Sequence, residues 1–367
     1  MQDTAEQKKV DPCILPTDLK MAVTVRIGRI QGFLPLAKCR EFLYNCVYKV
    51  RVLYKIHKKY KESRINKKEK KIPEKFMKLV KNAYAKINLG LDVVRRREDG
   101  YHEVKMIMQM VDIYDTLTFG SREDEELHIF TDNKKLPCDE HNLIFKGAMV
   151  LFEETKGRIG ADITLNKRIP IAAGMAGGST DAAAAMLALN EMMGQPLTKE
   201  RLMEISVRVG ADVPYCIMGG TALSEGIGEI LTPLAPPPKA YVLVAKPDID
   251  VSTAFVYKNL RLNEIKKHPD IDGMAEALGR GDLKGITDRM ENVLETVTVP
   301  AHPVIGEIKE LCRAQGAMNA LMSGSGPTVF AVFDKKDGAE RTMEKIRERG
   351  LSQEVFVTGF VETEGCG

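Results

Sequence analysis

The stretch that most constrains this chain is Pro170-Ile-Ala-Ala-Gly-Met-Ala-Gly-Gly-Ser-Thr-Asp181, followed at once by Ala182-Ala-Ala-Ala-Met-Leu-Ala-Leu189. Glycines let a backbone take positive φ and approach a ligand closely. Ser179, Thr180 and Asp181 are residue types that cap a helix, and the alanine-rich run is a strong helix former. A loop of N–H groups opening onto the positive end of a helix is an anion site, and phosphate is the usual anion. Taken alone, the same residues also read as a small-residue loop before a tightly packed helix. No Gly-Lys-Ser/Thr follows and there is no Gly-x-Gly-x-x-Gly, so neither standard nucleotide motif applies.

The chain has 367 residues, 44% of them hydrophobic, enough for one large or two ordinary domains. No stretch approaches the roughly 20 apolar residues of a membrane span. The 7 cysteines are scattered without a Cys-x-x-Cys pair, which argues against a disulfide framework or zinc site and fits a reducing cytoplasm. The net charge of +3 hides an asymmetry. Residues 1–76 hold 19 Lys and Arg against 8 Asp and Glu, whereas 77–367 hold 35 against 43.

Within 1–76, apolar residues at helical spacing between Cys39 and Ile56 suggest an amphipathic helix, and lysine dominates from Lys55 to Lys75. Three readings stand. The segment could be a basic arm for nucleic acid or anionic lipid, a targeting peptide, or no part of the functional protein. It has one serine and eight acidic residues, a poor transit peptide. Met77 precedes what reads as the natural start of a domain, and we expect translation to begin there.

From Leu79 onward the pattern is mixed. Tyr84–Val94 and Glu103–Val111 read as a hairpin, with short strands around Leu117 and Leu127. Helices are expected over 139–156, from the alanine run, and over 198–209. A strand at 161–165 feeds the glycine-rich loop, and 219–234 forms another hairpin. Pro236-Pro-Pro238 connects to a buried strand at 240–245. Helices follow at 253–260, 274–278, 292–297 and 304–315, then strands at 317–322, 328–333 and 354–358 with a helix over 338–349. Strands and helices without regular βαβ alternation indicate α+β.

Four segments carry chemistry. Lys86, in Ala-Lys-Ile-Asn88, is a lysine in an apolar strand, costly unless an anion accompanies it or the residue sits on an exposed face. The glycine-rich loop is the second; there Ser179 could offer a hydroxyl to Mg²⁺ held by phosphates, or be a simple cap. The third is Gly210-Ala-Asp-Val-Pro214, where Asp212 could accept a proton from a hydroxyl nucleophile, or serve as a turn residue. The fourth is the tight turn Ser323-Gly-Ser-Gly-Pro-Thr328. Tyr101, His102, Tyr257 and Asn292 are weaker polar candidates.

Together these segments resemble the GHMP kinase superfamily, whose phosphate loop reads Pro-x-x-x-Gly-x-x-(Gly/Ser)-Ser. Ala85–Leu91, Gly100-Tyr-His102, Pro170–Asp181, Gly210–Pro214, Glu225-Gly-Ile-Gly-Glu229, Asn292-Val-Leu-Glu295 and Met322–Pro327 match in order, over about 77–360. Residues 1–76 have no counterpart in it.

The resemblance implies an α+β, two-lobed kinase with its active site between an N-terminal ATP-binding lobe (77–235) and a C-terminal substrate lobe (236–367). It implies ATP with Mg²⁺, and a cytidylyl polyol phosphorylated on its 2-hydroxyl, a step of non-mevalonate isoprenoid synthesis. Asp212 would be the catalytic base, with Lys86 beside it. The ATP phosphates would be wrapped by Pro170, Ile171, Ala172, Ala173, Gly174, Met175, Ala176, Gly177, Gly178, Ser179 and Thr180, with the helix from Asp181 aimed at them. His102 would bond the cytosine, Tyr101 and Tyr257 would sandwich it, and Asn88 and Thr253 would line the polyol end. Tyr257 stands where some relatives have phenylalanine, and both stack. The expected partner is this small molecule alone, without nucleic acid or membrane, in a monomer or weak homodimer.

Mevalonate, homoserine or a sugar are the other acceptors such kinases use; an aromatic and an imidazole at Tyr101-His102 suit a nucleobase better. A kinase fold kept for binding would be expected to lose Lys86 or Asp212. A nucleic-acid binder would rely on 1–76, since the body is acidic.

Overall fold

The computed structural model of the chain describes residues 78–361. The amphipathic helix expected over 39–56 and the basic stretch ending at residue 75 lie outside them.

The organising element is a long antiparallel hairpin, β1 (Lys78–Arg96) and β2 (His102–Arg122). β1 alternates only at its start; from Ala85 to Val93 every residue is buried, which marks a strand covered on both faces. β2 runs through Leu117, which is therefore no separate strand. Nothing between Val111 and Phe119 breaks it, since no glycine or proline occurs there. Register shifts near Tyr84 and Asn88 absorb the twist of so long a pair.

β2 is the hub of the first sheet. Its second half pairs with β4 (Gly160–Asn166), and its first half with β5 (Thr221–Glu225). β3 (Leu127–Thr131) lies parallel to β4, and β6 (Ile230–Leu234) closes the other edge. Against this sheet pack α1 (Leu143–Thr155), α2 (Gly177–Met192), α3 (Lys199–Ser206) and α4 (Val213–Met218). Thr180 to Asn190 of α2 are buried apart from half-buried Leu187, so it is the central helix of this half.

The second sheet is antiparallel in the order β10-β7-β9-β8, formed by β7 (Tyr241–Lys246), β8 (Asn319–Met322), β9 (Val329–Phe333) and β10 (Glu354–Gly359). In chain order between them come α5 (Thr253–Asn259), α6 (Ile271–Gly279), α7 (Leu283–Asp288), α8 (Glu295–Ala301), α9 (Pro303–Ala314) and α10 (Lys336–Glu348). α7 is missed by the sequence reading. It is only six residues long, and its strongest local signal is Asp282, which caps it through the Gly285 N–H at 2.9 Å.

The two sheets share a core. Buried residues of β1 and β2 pack with those of β7, β8 and β9. Gln109 Nε2 donates to Val361 O at 3.0 Å and Val361 N to Met110 O at 3.0 Å, tying the segment after β10 to the hub strand. Among the described residues, no helix is long and apolar enough to cross a membrane.

Candidate active site

The site is built where β1 passes the glycine-rich loop. Lys86 is 5% exposed, so it is no surface lysine. Its main-chain N–H donates to Met175 O at 3.1 Å. Its ammonium donates to Asn88 Oδ1 at 2.8 Å and Gly174 O at 3.4 Å, and lies 3.9 Å from Asp212 Oδ2. A buried ammonium with one carboxylate and two neutral oxygens around it is desolvated but satisfied.

Asp212 stands at the N-cap position of α4, yet its side chain makes no capping bond. Pro214 in the first turn has no N–H to cap, so the carboxylate is left to face Lys86. Tyr215 and Tyr257 both have their phenols pushed up, first by burial and further by charges that include Asp212; Tyr257 reaches about 12. Both therefore stay protonated, and Tyr215 Oη donates to Gly220 O at 2.7 Å.

The glycine-rich loop takes positive φ at Ala172, Gly174 and Ala176. A side chain at Gly174 would lie 2.4 Å from Ser323 O, so only glycine lets the two loops cross there. Ser323 Oγ donates to Gly174 O at 3.0 Å, and Asn292 Nδ2 donates to both Met322 O and Gly324 O at 2.8 Å. Asn292 thus holds the second turn from behind.

α2 begins at Gly177, not at Asp181, with Ala176 at the N-cap and no side-chain cap. Ser179, Thr180 and Asp181 are inside its first turns, so the expected capping role is not taken by any of them. For Asp181 the physical reason is a buried ionic cluster. Lys167 Nζ donates to Asp115 Oδ2 at 2.5 Å and to Asp181 Oδ2 at 2.7 Å. Asp115 Oδ1 also accepts the main-chain N–H groups of Arg168 and Ile169 at 2.5 and 2.9 Å. Burial, with the Asp115 carboxylate adding to it, pushes Asp181 up to about 8 against the pull of Lys167. Asp181 Oδ1 is buried without a hydrogen-bond partner. Sequence reasoning missed Lys167 and Asp115; Asp115 is an acidic residue inside a long strand, and Lys167, just past the end of β4 between Asn166 and Arg168, carries no local signal.

Two cavities meet at this loop. One, of about 320 Å³, is lined by Pro170 to Gly174, Ala176 to Ser179, Lys167 and Asp181. The other, of about 1100 Å³, is lined by Lys86, Asn88, Tyr101, His102, Asp212, Thr253 and Tyr257 among others. Gly174, Ala176 and Ser179 line both. Met175 and Thr180 line neither; both are fully or nearly fully buried. Thr253 Oγ1 is 2.8 Å from Ser325 Oγ, joining α5 to the second turn.

His102 and Tyr257 are the adjacent rings, with centroids 5.1 Å apart and planes inclined by 37°. Tyr101 is 61% exposed at the rim. Burial and the nearby Arg96 charge hold His102 below the usual imidazole range, so it is neutral at pH 7. Asn88 and His102 come from the first sheet, Tyr101 from the turn between β1 and β2, and Thr253 and Tyr257 from α5, so the large cavity is walled by both halves of the molecule.

Residues 142–220 match the family model described as GHMP kinases N terminal domain, and 274–351 match GHMP kinases C terminal. A relative from Lachnoclostridium phytofermentans, named 4-diphosphocytidyl-2-C-methyl-D-erythritol kinase, is 49% identical over 282 residues, which are 77% of this chain and 97% of the relative. A crystal structure of 4-(cytidine 5'-diphospho)-2C-methyl-D-erythritol kinase superposes with a TM-score of 0.66 at 32% identity, covering 77% of this chain and 99% of that one. A homoserine kinase from Cytophaga hutchinsonii has a TM-score of 0.65 at 20% identity over 79% of this chain and 97% of its own, a likeness of fold.

Proposed function

The chain belongs to the 4-diphosphocytidyl-2-C-methyl-D-erythritol kinases of the GHMP kinase superfamily, and from that membership we propose that it transfers the γ-phosphoryl group of ATP to the 2-hydroxyl of that cytidylyl polyol. The observation that carries the reading is the placement of Lys86 and Asp212 beside each other, at the junction of a phosphate-sized cradle and a larger cavity with a base-sized ring pair.

The cradle suits the nucleotide. Its backbone turns by positive φ at three positions and ends at the N-terminus of a 16-residue helix, a match for polyphosphate. Ser179, facing both cavities, would hold Mg²⁺ together with phosphate oxygens, and the ion would neutralise charge on the transferring group.

Asp212 accepts the proton of the 2-hydroxyl as that oxygen attacks the γ-phosphorus. The bond from phosphorus to the β–γ bridging oxygen breaks and ADP leaves. Lys86 keeps Asp212 in place and stabilises the negative charge that gathers on the nucleophile and the phosphoryl oxygens. Positioning does most of the work in such a transfer. Asn88, fixed by Lys86, and Thr253, fixed by Ser325, line the polyol end. Neutral His102 offers the base one donor and one acceptor, Tyr257 gives it a face, and Tyr101 closes over it from the rim. We place the division between nucleotide-binding and C-terminal lobes at residues 235 and 236, in the proline-rich connector.

His102→Ala tests the assignment. It should raise KM for the cytidylyl substrate by about tenfold or more and leave KM for ATP unchanged. Equal loss on both substrates would remove the base-binding role.

A further inference from the structure

A cavity of about 470 Å³ lies outside the active site, and no residue that lines it lines either of the two cavities that meet at the glycine-rich loop. Asn292 and Glu295 line it, together with Lys309 and Leu321. Leu294, just before Glu295 in sequence, lines the large cavity instead. The segment Asn292-Val-Leu-Glu295 is therefore a wall, with the active site on one side and this separate cavity on the other.

Glu295 opens α8, and its two carboxylate oxygens are used differently. Oε1 accepts the main-chain N–H of Met322 at 2.8 Å, and Oε2 accepts Lys309 Nζ from α9. The side chains of Lys309 and Glu295 are only 11% and 17% exposed. Glu295 is the one hydrogen-bond and ion-pair partner of that ammonium among the described residues, so the pair holds itself in place. Met322 ends β8, an edge strand of the second sheet, and its N–H finds a carboxylate where an inner strand would offer a carbonyl.

The contact continues into the active site. Ser323, next in the chain, closes its turn by donating its N–H to Thr328 O at 2.8 Å, and its Oγ donates to Gly174 O at 3.0 Å. Gly174 O is also the atom that accepts Lys86 Nζ. A line of contacts thus runs from Lys309 through Glu295, Met322 and Ser323 to the glycine-rich loop. Neither Lys309 nor Glu295 lines an active-site cavity.

We propose that Glu295, aimed by Lys309, is a positioning residue for nucleotide binding: it fixes Met322 and hence the Ser323 turn, and through Ser323 Oγ it holds the glycine-rich loop in its phosphate-binding curve before ATP arrives. The proposal rests on the reading of that loop as the ATP cradle. The ammonium engages one carboxylate oxygen and leaves the other for the Met322 N–H, and an ionised acceptor makes the stronger bond. A loop ordered in advance loses less freedom when the nucleotide binds.

The test is calorimetric titration of the full chain with ADP, beside steady-state KM for ATP and for the cytidylyl acceptor. Urea unfolding of each variant reports any loss of stability separately. In Glu295→Gln a single carbonyl oxygen must serve two donors. The ammonium takes it, because hydrogen bonds to charged groups are the stronger, and the amide NH₂ is turned on the Met322 N–H. ADP binding should weaken about tenfold and KM for ATP should rise to match, with KM for the acceptor within about twofold of wild type. Adding Lys309→Met frees the carbonyl for Met322, so the double variant should recover ADP affinity to within about threefold of wild type. Glu295→Asp, one methylene shorter, cannot span both partners and should show the same selective loss as Glu295→Gln; it decides the matter should Glu295→Gln fail to fold. Unchanged ADP affinity in the single variants, equal loss on both substrates, or a double variant no better than Glu295→Gln overturns the positioning role and leaves the cradle standing. A wild type that binds no ADP overturns the cradle reading and this proposal with it.

Discussion

Lys86 Nζ lies 3.9 Å from Asp212 Oδ2 and 2.8 Å from Asn88 Oδ1, and the same residue's main-chain N–H holds Met175 of the phosphate loop. One lysine therefore joins the base, the polyol wall and the nucleotide cradle. Asp212→Asn keeps the shape and removes the proton acceptor. The expected outcome is a fall in kcat of about 10²- to 10⁴-fold with ADP affinity unchanged, read from steady-state kinetics and ADP titration. Lys86→Met should lower kcat and also weaken ADP, since the main-chain bond to Met175 stays but the ammonium's hold on Gly174 O of the loop is lost.

The buried cluster of Lys167 with Asp115 and Asp181 separates two carboxylates by role. Asp115 accepts Lys167 and two main-chain N–H groups, so Asp115→Asn should cost about 3 kcal/mol in urea unfolding. Asp181→Asn should cost less and should change the pH dependence. With its pKa raised from 3.8 to about 8, folded Asp181 retains a proton that the unfolded chain has released between those values. Its contribution to stability therefore falls as pH rises through that window and is level above it. Across pH 5 to 8 the wild type should lose stability relative to Asp181→Asn; parallel curves would contradict this protonation.

His102 and Arg96 are coupled through the register that sets them opposite each other. Burial first, and then Arg96, holds the imidazole below its usual range. KM for the cytidylyl substrate should be flat around neutral pH and rise on acidification. Arg96→Gln removes a cation, lets the imidazole protonate more readily, and should move that rise to higher pH. A pH profile of kcat/KM in the two proteins measures it.

Gly174 has φ of +68° and its missing side chain leaves room for Ser323 O. Gly174→Ala should cost about 1–3 kcal/mol and raise KM for ATP, because the strain falls on the phosphate loop itself. Thermal unfolding and ATP kinetics read the two effects separately.

Much of this was legible in the chain. The glycine-rich loop, Lys86, Asp212 and the Ser323 turn are local motifs, and the structure brings them together. What was hidden depends on distant partners. Leu117 reads as its own strand from local pattern alone; the continuity of β2 comes from pairing with three neighbours. α2 starts four residues before Asp181, whose cap-like residue type is taken up by the ion pair with Lys167. The His102–Tyr257 contact spans 155 positions and cannot be read from either segment.

The most direct measurement follows ADP release by the full chain with ATP and Mg²⁺, offering 4-diphosphocytidyl-2-C-methyl-D-erythritol and, in parallel, mevalonate, homoserine and galactose. The expected result is turnover with the cytidylyl compound alone, abolished by Asp212→Asn. Turnover with another acceptor instead would keep the phosphate cradle and base but contradict the roles given to Tyr101, His102 and Tyr257. Undiminished turnover in Asp212→Asn would contradict the catalytic account itself.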